Sequence, residues 1–129
     1  MGSRGTRVLV VDDSPQLRDL LVLLLDDEED IHVVGQAADG AEAVELVELL
    51  EPDVVLLDIA MPVMDGLEAL RLLRLVAPAT RVILLSGYAP SAFRADAIAE
   101  ADDYLEKGVA VTELVARVRA LCPEARRGR

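Results

Sequence analysis

Short apolar runs alternate along this chain with longer segments of helical spacing, and polar residues gather where one gives way to the next. Strand-like runs fall at 7–11, 54–57 and 81–85, with more polar ones at 31–37 and 103–106. The alternation predicts five β-α units around a parallel sheet. Ser14 with Pro15 is a good helix start, and Leu17, Leu20, Leu21 and Leu24 are expected to form the buried stripe of the first helix. A run of acids at 26–30 ends that helix, and Gly35 is expected to break the second strand. Asp39 with Glu42 makes a capping-box-like start for a second helix reaching about residue 50. Pro52 separates it from the third strand, and Asp65 with Gly66 opens a third helix that ends before Pro78. A fourth helix is expected over about 90–100, and Val111, Leu114, Val115, Val118 and Leu121 give the fifth an apolar face.

The first, third and fourth strands are almost continuous Val, Leu and Ile, as expected when helices cover both sheet faces; the second and fifth carry polar residues and suit edges. The order 2-1-3-4-5 follows, an α/β doubly wound parallel sheet. Its switch point lies between the first and third strands, beside Asp12, Asp13 and Asp58.

A length of 129 residues suits one domain, placed at 7–122, and 53% hydrophobic with only 2% aromatic residues requires an aliphatic core. Residues 1–6 are expected to be a flexible start or a cloning remnant, and 123–129 a basic tail or truncated linker containing Arg126, Arg127 and Arg129. The net charge of -11 would repel a phosphate backbone, so direct nucleic-acid binding is not expected. The single cysteine, Cys122, rules out an internal disulfide, and the longest apolar stretch, 20–25, is far below the ~20 residues of a membrane-spanning helix. A cytoplasmic location is expected, with no membrane attachment.

The polar residues at the strand ends carry the chemistry. Asp12 and Asp13 follow the first strand, Asp58 the third, Ser86 the fourth and Lys107 the fifth. In an open parallel sheet all these ends share one edge, where ligands bind. Two carboxylates about 4 Å apart repel by roughly 4 kcal/mol at an effective dielectric of ~20, so three acids there need a cation or raised pKa values. Mg2+ suits such a set, because it prefers oxygen ligands and keeps several waters. Asp58 is placed to attack a phosphoryl group, with Lys107 as a second cation and Ser86 as a hydroxyl donor. Taken singly, the Asp pair would only favour a helix N-terminus, and Ser86 and Lys107 would be a turn serine and a surface lysine. Their joint placement favours a site. His32 is expected to face solvent or a partner, Cys122 to be inert packing, and Met61 and Met64 to pack around Pro62.

With Val8 to Asp13, Asp58-Ile59-Ala60-Met61-Pro62-Val63-Met64-Asp65-Gly66, Leu84-Leu85-Ser86-Gly87 and Tyr104-Leu105-Glu106-Lys107, the chain resembles a response-regulator receiver domain of two-component signalling. The resemblance implies a flavodoxin-like (βα)5 fold. It also implies that Asp58 is the phosphoacceptor, that Asp13, Asp58 and the Ala60 carbonyl ligate Mg2+ and that Asp12 acts through metal-bound water. Ser86 and Lys107 would contact the phosphoryl group, Ser86 and Tyr104 would be the switch pair, and Ala60 and Tyr88 would tune acyl-phosphate lifetime. The implied phosphodonor is a sensor histidine kinase. The implied output face is the fourth helix, fifth strand and fifth helix, which would meet an output protein, a tethered effector domain or a second copy in a phosphorylation-dependent homodimer. Such a protein catalyses only its own phosphorylation and dephosphorylation.

Several positions depart from the family pattern: Gly108 stands where a proline is common, the stretch from Ser86 to Lys107 is one residue short, Glu100-Ala101-Asp102-Asp103 stands where a glycine turn is usual, and Ala110 is a poor N-cap. They touch the output face more than the crevice. A receiver-like scaffold that works without phosphorylation is an alternative. A phosphohydrolase of the haloacid-dehalogenase type would need a second Asp two residues after the nucleophile, where this chain has Ala60. A flavin phosphate would be repelled by the acidic loop at 12–15.

Overall fold

The computed structural model describes residues 5–123. Residues 1–4 and 124–129, which include most of the expected flexible start and basic tail, lie outside the described residues. β1 (Thr6–Val11), β2 (Ile31–Ala37), β3 (Val54–Asp58), β4 (Arg81–Ser86) and β5 (Asp103–Glu106) form one sheet in the order β2-β1-β3-β4-β5. All four pairings are parallel. The helices are α1 (Pro15–Asp26), α2 (Gly40–Leu50), α3 (Gly66–Val76), α4 (Ala95–Ile98) and α5 (Val111–Ala120). Fold class and strand order match the sequence reading.

Side-chain alternation accounts for the continuous apolar strands. Val8, Val10, Val54, Leu56, Ile83 and Leu85 pack with Leu21 and Leu25 of α1 and Leu114, Val115 and Val118 of α5. The intervening Leu9, Val11, Val55, Leu57, Val82 and Leu84 pack with Ala43 and Val47 of α2 and Ala69, Leu70 and Leu73 of α3. Each fully buried Val or Leu contributes about 1.5–3 kcal/mol, so two aliphatic layers hold the sheet with little aromatic help.

Three details differ from the sequence reading. In α1 the buried line is Leu21 and Leu25 with Leu17 at its edge, whereas Leu20 is 48% exposed. Residues 17, 21 and 25 follow one another at the i, i+4 spacing, which leaves Leu20 to the side, lining a groove with Val111 and Leu114. β2 continues through Gly35: Val33 pairs with Val8 and Gly35 with Leu9, so Val34 is a bulge.

The third difference is the fourth helix. The expected helix over 90–100 is a 3₁₀ turn (Pro90–Ala92), extended residues Phe93 and Arg94, and the single turn α4. Phe93 and Ile98, five positions apart, would point about 140° apart on a continuous helix at 3.6 residues per turn. Breaking the helix at Phe93 lets both side chains reach the core beside α3. Neither short piece has a side-chain cap.

Candidate functional site

Parallel register assembles the site. Val11 pairs with Leu57, so the next residues, Asp12 and Asp58, leave the sheet side by side. Asp58 pairs with Leu85 and Ser86 with Glu106, which sets Ser86 and then Lys107 one step further along the same edge. By alternation Asp12, Asp58 and Lys107 fall on the α1/α5 face, and Ser86 and Tyr104 on the α2/α3 face.

The Lys107 ammonium lies 3.0 Å from Asp12 Oδ2 and 3.2 Å from Asp58 Oδ1. Asp12 and Asp58 are buried, at 1% and 4% exposure, while Asp13 is exposed at the rim. Carboxylate oxygens of the three acids come within 4.8 Å of one another. Asp12 Oδ1 accepts from the Ser14 N–H at 2.9 Å. Its buried Oδ2 receives no well-directed hydrogen bond despite the nearby ammonium, because the contact with Lys107 has ion-pair distance but poor angle. Burial pushes the Asp58 pKa up and Asp12 pushes it further; Lys107 pulls against both. Lys107 itself loses solvation by burial, which would lower its pKa, but Asp12 and Asp58 outweigh that and raise it. A hard cation fits this donor set: three oxygen ligands in excess of positive charge, one of them buried and short of a partner.

Ser86 is buried, its carbonyl accepts the Lys107 N–H at 2.7 Å, and its Oγ accepts the Tyr88 N–H at 3.1 Å. Tyr104 donates its hydroxyl to the Tyr88 carbonyl at 2.6 Å. A crevice of about 230 Å³ is lined by Asp13, Asp58, Ala60, Ser86, Tyr88 and Lys107, together with Phe93. The predicted site residues are thus brought together, with Asp12 beneath the crevice and Tyr104 behind Tyr88.

Two residues important to this geometry escaped the sequence reading. Gly66 donates its N–H to the Ile59 carbonyl at 2.8 Å, and a Cβ there would overlap the Asp58 carbonyl. The helix start at Asp65 hid this tight approach, since Asp-Gly also serves as a simple cap. Phe93, the only phenylalanine, was assigned to a helix and instead lines the crevice. His32 is exposed, and Cys122 is half-buried just beyond α5.

Among the described residues no helix is long and apolar enough to cross a membrane. The response regulator receiver domain model matches residues 8–119. The chain is 51% identical over 86 residues to a protein-glutamate methylesterase/protein-glutamine glutaminase of Thermotoga maritima, covering 67% of this chain and 25% of that protein. It is 36% identical over 113 residues to the transcriptional regulatory protein LnrK of Bacillus subtilis, covering 87% of this chain and 51% of that one. The chain therefore spans a quarter to a half of these curated relatives, and the matched part is their receiver-like segment. The response regulator domain of Thermotoga maritima CheB superposes with a TM-score of 0.84 at 39% identity, over 92% of this chain and 96% of that one. A 2-1-3-4-5 sheet, three acids and a lysine at its carboxyl edge, and a family match across 8–119 converge: the chain belongs to the response regulator receiver domains.

Proposed function

We propose that Asp58 accepts a phosphoryl group from a sensor histidine kinase and that the new charge alters the surface of α4, β5 and α5. The observation that carries this reading is Asp58 itself: a buried carboxylate of raised pKa, 3.2 Å from an ammonium and clustered with two further acids at the open edge of the sheet. An Asp58 oxygen attacks phosphorus, the bond from phosphorus to the donor imidazole nitrogen breaks, and its electron pair leaves with the imidazole. The product is an acyl phosphate. Catalysis here is positioning and charge neutralisation, and Lys107 and the Ser86 hydroxyl are the protein groups that face phosphoryl oxygens. Asp12, Asp13, Asp58 and the Ala60 carbonyl would hold Mg2+, which when bound offsets the charge of the acids and the phosphoryl oxygens.

The readout runs through Tyr88. Its N–H is held by Ser86 and its carbonyl by Tyr104. A phosphoryl group adds about -1.5 to -2 charge and draws the Ser86 hydroxyl toward it, which removes the acceptor from the Tyr88 N–H and loosens the backbone that pins Tyr104. Tyr104 then repacks and changes the face that an output protein, a tethered effector domain or a second copy would read. A coupling of about 1–3 kcal/mol is enough. Ala60 and Tyr88, on the crevice wall, set how long the acyl phosphate survives. Methylesterase activity belongs to relatives of which the match covers only 25%, and it is not assigned to this chain.

Intact mass after incubation with Mg2+ and phosphoramidate tests the chemistry. One added phosphoryl group is expected on the parent and none on Asp58→Asn; equal labelling of both would overturn the assignment.

A further inference from the structure

The chain has one Phe, two Tyr and no Trp, and all three rings lie in one cluster, with Tyr88 and Phe93 lining the Asp58 crevice and Tyr104 behind them. Phe93 is the centre of that cluster. Its ring meets Tyr88 edge-on, with centroids 6.3 Å apart and planes at 82°, and Tyr104 at 6.4 Å and 51°. Such edge-on and tilted pairs favour their arrangement beyond the area they bury. The backbone is organised around this ring: Pro90–Ala92 closes a turn, Phe93 is extended at φ -122 and ψ 158, and helix resumes at Ala95. Arg94 and Asp96 form a two-pronged pair at 3.0 Å across the restart. Ala92 and Arg94 are exposed while Phe93 between them is half-buried against the crevice.

We propose that Phe93 is the access-setting residue of the crevice: its ring limits the approach of both water and small phosphodonors to Asp58. The inference rests on Asp58 being the acceptor. Phosphoryl transfer runs roughly in line, so the group opposite the Asp58 oxygen must enter or leave through the crevice mouth. In loading, that group is the donor's leaving atom. In hydrolysis it is water, whose oxygen attacks phosphorus while the bond from phosphorus to Asp58 breaks, the electron pair returns to the carboxylate and a proton passes to bulk water. A ring on the wall of that passage therefore slows both directions, unlike Lys107 or Ser86, which act on the phosphoryl oxygens themselves.

The test measures loading from phosphoramidate and phosphoryl loss after donor removal, both by intact mass with Mg2+, in the full chain. Phe93→Ala is expected to accelerate both rates, by about tenfold if the ring adds the ~1.4 kcal/mol that a tenfold rate factor represents. Phe93→Leu, which keeps an apolar side chain of lower reach and protects the fold, is expected to fall between the two. A role confined to stability would lower the folded fraction and slow loading, so acceleration of both steps is the distinguishing result. Rates in both variants within twofold of the parent, or loading slowed while loss speeds up, would overturn the proposal. A parent that takes up no phosphoryl group would overturn the Asp58 reading and this one with it; normal loading with unchanged rates in the variants would remove only the role of Phe93.

Discussion

At the amino end of the sheet one carboxylate has more partners than it needs, while at the carboxyl end two buried carboxylates share one ammonium with a third acid beside them. Asp102 accepts from Arg74 at 2.9 Å, from Arg81 at 3.1 Å and from the Val82 N–H at 2.8 Å. Arg74 also donates to the carbonyls of Glu100 and Thr80, so the group ties α3 to β4 and to the segment entering β5. At the other end the Asp12 and Asp58 carboxylates both pair with Lys107, Asp13 stands within 4.8 Å of them, and Arg18 reaches the Asp12 backbone carbonyl and not its carboxylate. Acids matched to donors hold a fold together; acids left in excess of donors wait for a ligand.

The largest expected consequence is at the matched end. Asp102→Ala leaves two guanidinium groups and a strand N–H without their shared acceptor, and the Asp102 side chain, unlike its backbone, is only 18% exposed. A loss of about 2–3 kcal/mol is expected, since removing one partner strands the others at full desolvation cost. Urea unfolding would read it, and a loss below about 0.5 kcal/mol would mean the network is dispensable, erasing one half of the contrast.

A smaller change of opposite sign is expected at the other end. Asp13 adds to the repulsion felt by Asp58, after burial and Asp12. Asp13→Asn in the presence of a chelator is expected to raise stability by about 0.5–1 kcal/mol, the scale of a partly screened charge pair. Mg2+ should reverse the ranking. At ten times its dissociation constant the ion would stabilise the parent by about 1.4 kcal/mol through mass action and the variant by much less. Thermal unfolding with and without Mg2+ decides it: a variant less stable than the parent in chelator would make Asp13 a structural acid like Asp102.

The two ends also differ in how much the sequence could reveal. The carboxyl edge was legible because parallel strands bring their ends together whatever the loops do, so Asp12, Asp58, Ser86 and Lys107 needed only correct strand ends. The Asp102 network was visible only as acids standing where a glycine turn is usual. Its partners, Arg74 and Arg81, are 28 and 21 residues away and belong to elements whose relative placement no local pattern states. The break in the fourth helix is hidden from the sequence for a similar reason. Ala-rich composition favours helix locally, but the need to seat Phe93 and Ile98 in one core overrides it. Leu20 shares the apolar periodicity of α1 yet is exposed, because periodicity marks a face and not its width.

The smallest effect sharpens the contrast, because it comes from a matched acid that sits in water. Arg119 reaches Asp30 at 2.7 Å and Glu28 at 2.7 Å, joining α5 to the turn between α1 and β2. Hydrogen bonds from Arg119 hold the Asp30 carboxyl below its usual pKa. A carboxylate depressed in the folded state stabilises when ionised, so its contribution is present above the unfolded value near ~3.9 and is lost as pH falls through the lower folded value. The stability difference between the parent and Asp30→Asn should therefore be constant from about pH 8 to pH 5 and vanish only once the pH lies below the lowered folded value. It should also shrink with added salt, since the Asp30 side chain is 47% exposed and screened pairs of this kind are weak. Chemical denaturation across that range measures it. A difference that survives full protonation would come from packing of the Arg119 stem over the turn, and this end of α5 would then be held by contact and not by charge.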